Sequence, residues 1–492
     1  MQRHHLLLGA AGASILLTQY VAVREIGSTF FSTELVLLGA TLVTLAGPSA
    51  GYAFAHRLSD RALAVWGALS MAAHLAMPVG LRALVGAMTA RGLEGWALGA
   101  TAVLGGALLC GFYAVFLPRC AKEPASLPVL YAVELAGALA ALVLLAISPS
   151  FRVTLALYWG AAVVVLHLGL GRRRLSIAAG LAATIMILVY PRLDRAAAAV
   201  YFEGYHGRRG PVVIETEYSP YQRIDVVDDA RGRRSLYLDG VPFYRSGDFD
   251  AFNVYLAEIP GELRARSTAA PPPAAPSSGR AAALVLGSGS FSSAARLHRM
   301  GYDVTVVELD AAVARIGFLR FDMTHGLSPG QVRVEIADGR RFLAQTSGSF
   351  DVIAMDVPAP YHLRTALLHS PDFYRLAASH LRPGGVVALS LCGSLSGDVA
   401  PAIAASAALV FPSVMVVESE RVGFALLYAG SPLPFSRSDV ADALARDPRG
   451  GTVHDDAEVR ARIAGVPPLD QDRLASVLAL ARGELEEAFR AR

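Results

Sequence analysis

The residues with the clearest chemical potential lie in the stretch ALVLGSGSFSS at positions 283–293. Its first residues predict a short apolar strand, and Gly287 and Gly289 allow the tight turn that follows. A second apolar stretch ends in an acid, Glu308, about 20 positions after Gly287. This spacing lets backbone amides approach a ligand while the carboxylate accepts hydrogen bonds from ribose hydroxyls. The pattern therefore predicts a site for an adenosine-type cofactor.

Two further acidic residues follow later predicted strands. Asp338, with Gly339 after it, ends the stretch VRVEIADG, and Asp356 lies near the end of FDVIAMDV. Because a ligand in an open α/β sheet binds beyond the carboxyl ends of the strands, we expect Glu308, Asp338 and Asp356 at one edge. Three carboxylates at successive strand ends indicate a site more strongly than a lone GxG. The alternative is a degenerate fold in which these residues only form turns and cap helices.

The C-terminal half supplies the elements that would position these residues. From residue 281 apolar strands alternate with helical stretches, which predicts an α/β Rossmann-like domain of the adenosylmethionine-dependent methyltransferase type over 281–435. Two close final strands, VMVVESE and FALLYAG, predict an antiparallel strand at the sheet edge. The alternating stretches in 198–263 predict a small antiparallel β domain. We expect a flexible Pro/Ala/Ser linker at 264–280 and a polar, partly helical tail at 436–492.

The N-terminal half, residues 1–197, is far more apolar. The chain as a whole is 54% hydrophobic with a mean hydropathy of +0.44, and the excess lies before residue 195. About 20 apolar residues can cross a bilayer as a helix, so we expect an α-helical membrane bundle of about seven spans. The candidate spans are about 6–23, 34–56, 62–81, 95–117, 129–148, 153–170 and 175–191.

Four polar residues fall within these spans and have two interpretations. Gln19, His74, Glu134 and His167 are costly in lipid, so they either face the bundle interior or an interface, or they mark a substrate path.

The predicted orientation contains a conflict. Lys and Arg residues favour the side of the N-terminus, which the positive-inside rule places in the cytoplasm. Seven spans would then leave the C-terminal domain outside the cell, where an adenosylmethionine-type cofactor is not expected. Either the count is wrong by one or the charge bias misleads. We expect a multi-pass protein of the cell membrane, in bacteria the inner membrane, with a cytoplasmic C-terminal domain.

Composition argues against several other classes. A net charge of +3 without a basic patch gives no support to nucleic-acid binding. Cys110, Cys120 and Cys392 show neither metal-ligand spacing nor a disulfide framework, so we expect no metal. The N-terminal apolar stretch lacks a cleavage site, and the spans show no inverted repeat that would indicate a transporter.

The C-terminal half resembles the spermidine synthases, aminopropyltransferases that use decarboxylated S-adenosylmethionine. The resemblance covers about 215–430 and includes SPYQRIDVVDD followed by LYLDG, VVELD, IADGRRFL and FDVIAMD. It implies that Gln222 lies near the cofactor, that Glu308 binds the ribose and Asp338 the adenine, and that Asp356 is the catalytic aspartate. The membrane half looks like the multi-span extension of some bacterial members. A homodimer stays open.

The departures from the family pattern fall on the amine side of the predicted pocket. The family's glycine loop continues with an Asp where this chain has Ser290, and its second gate aspartate is replaced by Ala359. Its Tyr-His-Glu segment aligns with Phe252, Asn253 and Val254.

Three nearby residues could compensate for these losses. Asp248, Tyr361 and His362 lie in segments that should border the cleft, and an imidazole is suited to act as a base near neutral pH. The alternative is that the histidine is simply a solvated loop residue.

Three functions remain open at this point. The first is a membrane-bound aminopropyltransferase-like enzyme that acts on a small-molecule amine, not necessarily putrescine. The second is a methyltransferase that uses ordinary S-adenosylmethionine, which the loss of the loop Asp at Ser290 favours. The third is a non-catalytic sensor or binding protein in which the membrane bundle is the working part.

Overall fold

The fold consists of a helical half followed by two β-sheets. The computed structural model describes residues 2–30, 33–93, 96, 101, 109–121, 123, 126–148, 150–247, 250–269, 280–419, 423–446, 450–469 and 476–483. The helical half contains α1 Gln2–Gly27, α2 Glu34–Phe54, α3 Asp60–Thr89, the short α4 Gly111–Ala114 and α5 Phe116–Cys120, α6 Leu127–Ala146, α7 Phe151–Leu170 and α8 Arg173–Gly204.

Six of these helices are long and apolar enough to cross a membrane by length and composition. They coincide with six of the seven candidate spans. The remaining candidate, 95–117, falls mostly outside the described residues, and its described end forms α4 and the start of α5. The sequence predicted about seven spans, and the described residues contain six helices of this kind.

The outer faces of these helices are apolar and exposed. On α6, Leu135, Leu139 and Leu142 are each more than half exposed, and Leu181 and Leu188 of α8 are similar. Contiguous apolar surface of this kind is rare on proteins surrounded by water and is usual on helices that face lipid.

Glycines let the helices approach closely. A β-carbon added at Gly12 would lie 1.9 Å from the carbonyl oxygen of Glu134, and one at Gly137 would lie 1.9 Å from that of Gly9. These positions hold α1 against α6 at backbone distance, as expected for small residues in membrane helix contacts.

The polar residues within the helices have different surroundings. Glu134 is buried and accepts a hydrogen bond of 2.9 Å from the Tyr52 hydroxyl. His74 is fully buried between the hydroxyls of Tyr113 and Tyr158. These two residues therefore face the bundle interior, whereas His167 is exposed in the last turn of α7.

The first sheet is small and antiparallel, as predicted. It comprises β1 Val212–Tyr218, β2 Arg223–Asp228, β3 Arg234–Leu238 and β4 Val241–Arg245, paired in that order. A short helical segment follows, made of α9 Asp250–Asn253, a π-helical turn Val254–Glu258 and α10 Ile259–Ala269.

The second sheet has eight strands in the order β12-β10-β11-β9-β8-β5-β6-β7. Its strands are β5 Ala282–Leu286, β6 Asp303–Glu308, β7 Arg333–Ile336, β8 Phe350–Met355, β9 Leu381–Ser390, β10 Ser413–Ser419, β11 Phe424–Gly430 and β12 Thr452–His454. Its helices are α11 Ser292–Arg299, α12 Ala311–Arg320, α13 Asp322–His325, α14 Gly339–Gln345, α15 Leu363–Leu367, α16 Pro371–Ser379, α17 Val399–Ala408, α18 Arg437–Ala445 and α19 Asp456–Arg462. Alternate residues of β5 enter two separate cores, so helices cover both faces of a Rossmann-like sheet.

Two predicted boundaries were wrong because long-range contacts order residues of polar sequence. The first six residues of the expected linker belong to α10, whose Arg264 pairs with Asp351 at 3.0 Å beside β8; positions 270–279 lie outside the described residues. The expected tail supplies β12, which pairs with β10 at the sheet edge. Neither of the two final strands is therefore at the edge: β12 covers β10, and β11 lies between β9 and β10, antiparallel to both.

A buried charge network joins the helical half to the first sheet. The Arg223 side chain, on β2, is fully buried and contacts Asp194 of α8 and Asp225, each at 2.8 Å. It also donates to the Tyr218 hydroxyl, which in turn donates to Glu25 of α1 at 2.7 Å. Buried charges are stable only when their partners stay in place, so this network fixes the small sheet on the bundle.

Replacing Arg223 tests this network. Arg223→Met leaves the carboxylates of Asp194 and Asp225 buried without their cation, and we expect unfolding to require about 3 to 5 kcal/mol less. Thermal unfolding of the purified chain in detergent measures the change. Arg234→Met is the matched control, because Arg234 pairs with Asp228 on the same sheet but is one-third exposed. Equal losses in the two variants would contradict a special role for the buried network.

Candidate active site

The predicted site residues gather at the carboxyl edge of the second sheet. Parallel pairing aligns Leu286 of β5 with Val307 of β6 and with Met355 of β8. Gly287, Glu308 and Asp356 therefore end or follow three neighbouring strands at one edge. The structure thus brings these three positions to one edge of the sheet, while their roles in binding and catalysis stay predictions.

The loop after β5 needs both of its glycines. Gly287 has φ +93°, and a β-carbon there would lie 2.2 Å from the carbonyl oxygen of Asp356. Gly289 has φ +45°, and its β-carbon would lie 2.7 Å from the Phe243 ring and 3.8 Å from Asp356 Oδ2. The loop is thus fitted between Asp356 and strand β4, so the small sheet forms one wall of the site.

Glu308 is held firmly by the glycine loop. Its Oε2 accepts hydrogen bonds from the Ser288 amide at 2.8 Å and hydroxyl at 2.9 Å, and its Oε1 accepts from the Asp310 amide at 3.0 Å. Burial raises the pKa of Glu308, and the hydrogen bonds oppose that shift. A carboxylate has about four acceptor positions, so one remains for a ligand and a second opens when the Ser288 hydroxyl turns away.

Gln222 reaches this edge through a residue that the sequence analysis missed. Its side-chain amide donates to Asp310 Oδ2 at 3.3 Å, and the Ser219 hydroxyl donates to the same oxygen. Asp310 caps α12 through its other oxygen, which accepts from the Ala312 amide. The sequence did contain a signal for Asp310. An acid two positions after Glu308, at the turn from strand to helix, is a typical N-terminal helix cap.

Asp338 and Gly339 lie at the end of the neighbouring strand β7. Asp338 is exposed and caps α14, accepting from the Arg341 amide at 2.8 Å. A β-carbon at Gly339 would make only an ordinary contact with Leu286, at 3.5 Å. Asp338 therefore caps α14 with one carboxylate oxygen, and its other oxygen lies at the same sheet edge as Glu308.

Asp356 has the most unusual electrostatics of the site. Burial, and secondarily the negative charge of Glu308, raises the pKa of Asp356 to about 7. Its amide donates to the Leu286 carbonyl at 2.9 Å, which fixes its backbone against the glycine loop. A partly buried carboxyl with a pKa near neutrality is suited to exchange a proton with a substrate.

The segment after Asp356 is fastened to the helical half. The Tyr361 carbonyl accepts from the Glu34 amide at 2.9 Å, and His362 Nδ1 lies 3.4 Å from Glu34 Oε2. Burial lowers the pKa of His362, and Glu34 opposes this shift. The two candidate substrate residues therefore border the first turn of α2. The third, Asp248, lies outside the described residues.

A second histidine, which the sequence analysis missed, anchors the same segment from the other side. His369 is fully buried, and its Nε2 contacts the Pro358 carbonyl at 2.9 Å. Burial lowers the pKa of His369 to about 4, so the ring is neutral and donates to that carbonyl.

The residues that replace the family's polar groups are engaged within the fold. Asn253 is buried and accepts from the Ser293 hydroxyl at 2.6 Å, while Ser290 bonds Ser292 at 2.8 Å. The part of the chain that the structure describes contains no group of three or more potential metal ligands.

Comparison with known proteins agrees with this geometry. Residues 273–417 match the family model described as "Spermine/spermidine synthase domain". A polyamine aminopropyltransferase of Leptospira biflexa is 29% identical over 178 residues, which cover 36% of this chain and 58% of that protein. One of Oceanobacillus iheyensis is 30% identical over 181 residues, which cover 36% of this chain and 33% of that protein.

A solved structure shows a weaker likeness over a longer stretch. The spermidine synthase of Thermotoga maritima matches with a TM-score of 0.39 and 18% identity, covering 55% of this chain and 88% of that one.

The fold and site define a Rossmann-like domain with carboxylates gathered at the carboxyl edge of its sheet. The family match and the curated relatives show that residues 273–417 are similar to the spermine/spermidine synthase domain. Its relatives are transferases. The chain spans less than two thirds of the length of these relatives, so its own reaction is a separate question.

Glu308→Gln tests the predicted ribose-binding role of this carboxylate. The amide keeps the size of the side chain, but its NH2 group faces backbone donors and it carries no charge for ribose hydroxyls. We expect at least tenfold weaker binding of methylthioadenosine, measured by isothermal titration calorimetry. Glu335→Gln, an exposed residue of β7, is the control and should bind normally. Unchanged affinity in Glu308→Gln would exclude Glu308 from the binding site.

Asp356→Asn tests the raised pKa through stability. Because the folded pKa of about 7 exceeds the ordinary value of 3.8, folding favours the protonated carboxyl, and native stability falls as pH rises between these values. The amide avoids this loss. We expect the variant to be more stable than the native chain by up to about 4 kcal/mol above pH 7, with the difference shrinking toward pH 4. A pH-independent difference in thermal unfolding would contradict the assignment.

Proposed function

We propose that this protein is a membrane-bound aminopropyltransferase that transfers an aminopropyl group from decarboxylated S-adenosylmethionine to an amine. The observation that carries the proposal is the position of Asp356. It lies against the glycine loop and beside Glu308, with a pKa near neutrality. A proton acceptor thus stands where the nucleoside end of the co-substrate and the amine would meet.

The chemistry of the residues fits the nucleoside co-substrate. Glu308 has acceptor positions for ribose hydroxyls, and Asp338 at the neighbouring strand end would border the base. The loop of Gly287 and Gly289 allows close approach of a ligand to the backbone. Gln222 would contribute from the small sheet. The sulfonium group supplies positive charge and its own leaving group, and the acidic edge provides complementary negative charge.

Asp356 would act on the amine. An ammonium ion is not nucleophilic, so it must lose a proton before it attacks the carbon beside the sulfonium. The Asp356 carboxylate can hold the ammonium and accept that proton. Its raised pKa brings the proton affinity of the carboxylate closer to that of the amine. Positioning and charge account for the remaining catalysis.

The helical half supports attachment to a membrane. Six described helices have the length and hydropathy of membrane spans, and their outer faces are apolar. If these six described helices are all of the spans, both ends of the chain lie on one side, and the charge bias then agrees with a cytoplasmic catalytic domain. We therefore propose a multi-pass protein of the cell membrane with its C-terminal domain in the cytoplasm.

A methyltransferase that uses ordinary S-adenosylmethionine is the second candidate. The observation that favours it is Ser290, which bonds Ser292 where the family has an aspartate. That aspartate would repel the carboxylate of ordinary S-adenosylmethionine, and a serine would not.

The direct test supplies each co-substrate in turn. Purified chain in nanodiscs is incubated with a panel of amines and either decarboxylated or ordinary S-adenosylmethionine. We expect methylthioadenosine only with the decarboxylated form, with a rate that rises about tenfold per pH unit below pH 7 and levels off above it. Asp356→Asn should lower the rate about 10²- to 10⁴-fold while leaving methylthioadenosine binding intact.

Two results would contradict the proposal. Formation of S-adenosylhomocysteine from the ordinary form would indicate the methyltransferase, and no product from either form would indicate a non-catalytic protein.

A further inference from the structure

A cavity of about 450 Å³ lies where the helical half meets the small sheet. Its apolar walls come from α1, α2 and α6 and include Leu16, Leu37 and Leu142. Its polar end includes Gln222 and Asp239. A cavity with one wall of membrane helices and one polar end matches an amphiphile rather than a freely soluble molecule.

The polar end of this cavity shares a residue with the candidate active site. Gln222 lines the cavity, and its side-chain amide donates to Asp310. The Asp310 amide in turn donates to Glu308. Gln222 and Asp310 therefore link the lining of the cavity to Glu308 through two successive hydrogen bonds.

Helix α2 provides a second, independent connection. Leu37 and Thr41 of α2 line the cavity, and one turn earlier the Glu34 amide donates to the Tyr361 carbonyl. Tyr361 follows Asp356 by five positions in a segment that His369 also holds. The same helix thus borders both the cavity and the segment that carries the proposed base.

The charges at the polar end indicate the head group. Asp239 provides a carboxylate that can attract an ammonium ion, with an oxygen that also accepts from the Arg223 amide at 2.8 Å. Arg24 also lines the cavity and donates to the carbonyls of Ser219 and Gln222. A primary amine matches the carboxylate, and an amine next to a phosphate would match both charges.

The apolar end is accessible from the side of the helices. Leu142 lines the cavity and is 53% exposed on the outer face of α6. An alkyl chain could therefore lie along α6 and α2 while its head group reaches the polar end. This arrangement also fits an amine pocket that has Ala359 and a buried, hydrogen-bonded Asn253 in place of groups for a second ammonium.

We propose that the acceptor is a primary amine carried on a membrane amphiphile, which enters through this cavity. The inference rests on the proposed function and adds the substrate class. In the reaction the amine nitrogen forms a bond to the propyl carbon as the carbon–sulfur bond breaks. Methylthioadenosine leaves with the sulfur electron pair, and the ammonium proton passes to the Asp356 carboxylate.

The test compares a soluble with an amphiphilic amine. Full-length chain in phosphatidylcholine nanodiscs receives decarboxylated S-adenosylmethionine with putrescine, with dodecylamine, or with phosphatidylethanolamine in the bilayer. Methylthioadenosine formation and the mass of the amine product are measured. We expect kcat/KM at least tenfold higher for an amphiphilic amine than for putrescine. Reaction of dodecylamine alone identifies a simple long-chain amine, and reaction of phosphatidylethanolamine identifies a lipid head group.

Variants that fill the cavity separate its role from that of the catalytic edge. Leu142→Trp should lower turnover of the amphiphilic amine at least tenfold and leave turnover of putrescine and methylthioadenosine binding unchanged. Leu139→Trp, one turn away on the same helix and outside the cavity lining, is the control. Leu37→Trp with Leu38→Trp as its control repeats the comparison on α2 and guards against a folding defect in one variant.

The outcomes distinguish the two proposals. If putrescine is used at least as well as both amphiphiles and the cavity variants behave like their controls, this inference is wrong while the proposed function stands. If no amine gives methylthioadenosine, the proposed function fails and the acceptor assignment fails with it.

Discussion

The structure depends on one buried guanidinium group, that of Arg223. It contacts Asp194 of a long apolar helix and Asp225 of its own strand, and it reaches Glu25 of the first helix through the Tyr218 hydroxyl. These charged groups are buried, so separating any of them would leave a charge without a partner and would cost far more than the pairing gained. The small sheet is consequently held on the helical half in one position.

This constraint passes directly into the candidate site. The residue before Arg223 is Gln222, whose side chain contacts Asp310, and Asp310 contacts Glu308. Phe243, on the last strand of the same sheet, packs on the glycine loop. A shift of the small sheet relative to the bundle would therefore move one wall of the site. The helical half therefore also fixes the position of this wall of the site.

The sequence predicted what is encoded locally and missed what is encoded by distant contacts. The glycine loop and the strand-end acids Glu308 and Asp356 follow from turn geometry and strand periodicity, and the six long apolar helices of the described residues follow from hydropathy alone. By contrast, the helical start of the expected linker depends on Arg264 meeting Asp351, 87 positions later. The contact of Glu34 with His362 joins even more distant residues. Local patterns carry no information about such pairs.

The electrostatics of Asp356 bear on the choice of acceptor. Its pKa is raised first by burial and only secondarily by Glu308, so its capacity as a base does not require a second carboxylate on the amine side. A diamine does require such a group, because its distal ammonium would otherwise be desolvated without a partner. Asn253 is already satisfied by Ser293, and position 359 is an alanine. For the proposed reaction, Asp356 would suffice to deprotonate one amine. An apolar tail would avoid the desolvation cost that a second ammonium would incur there.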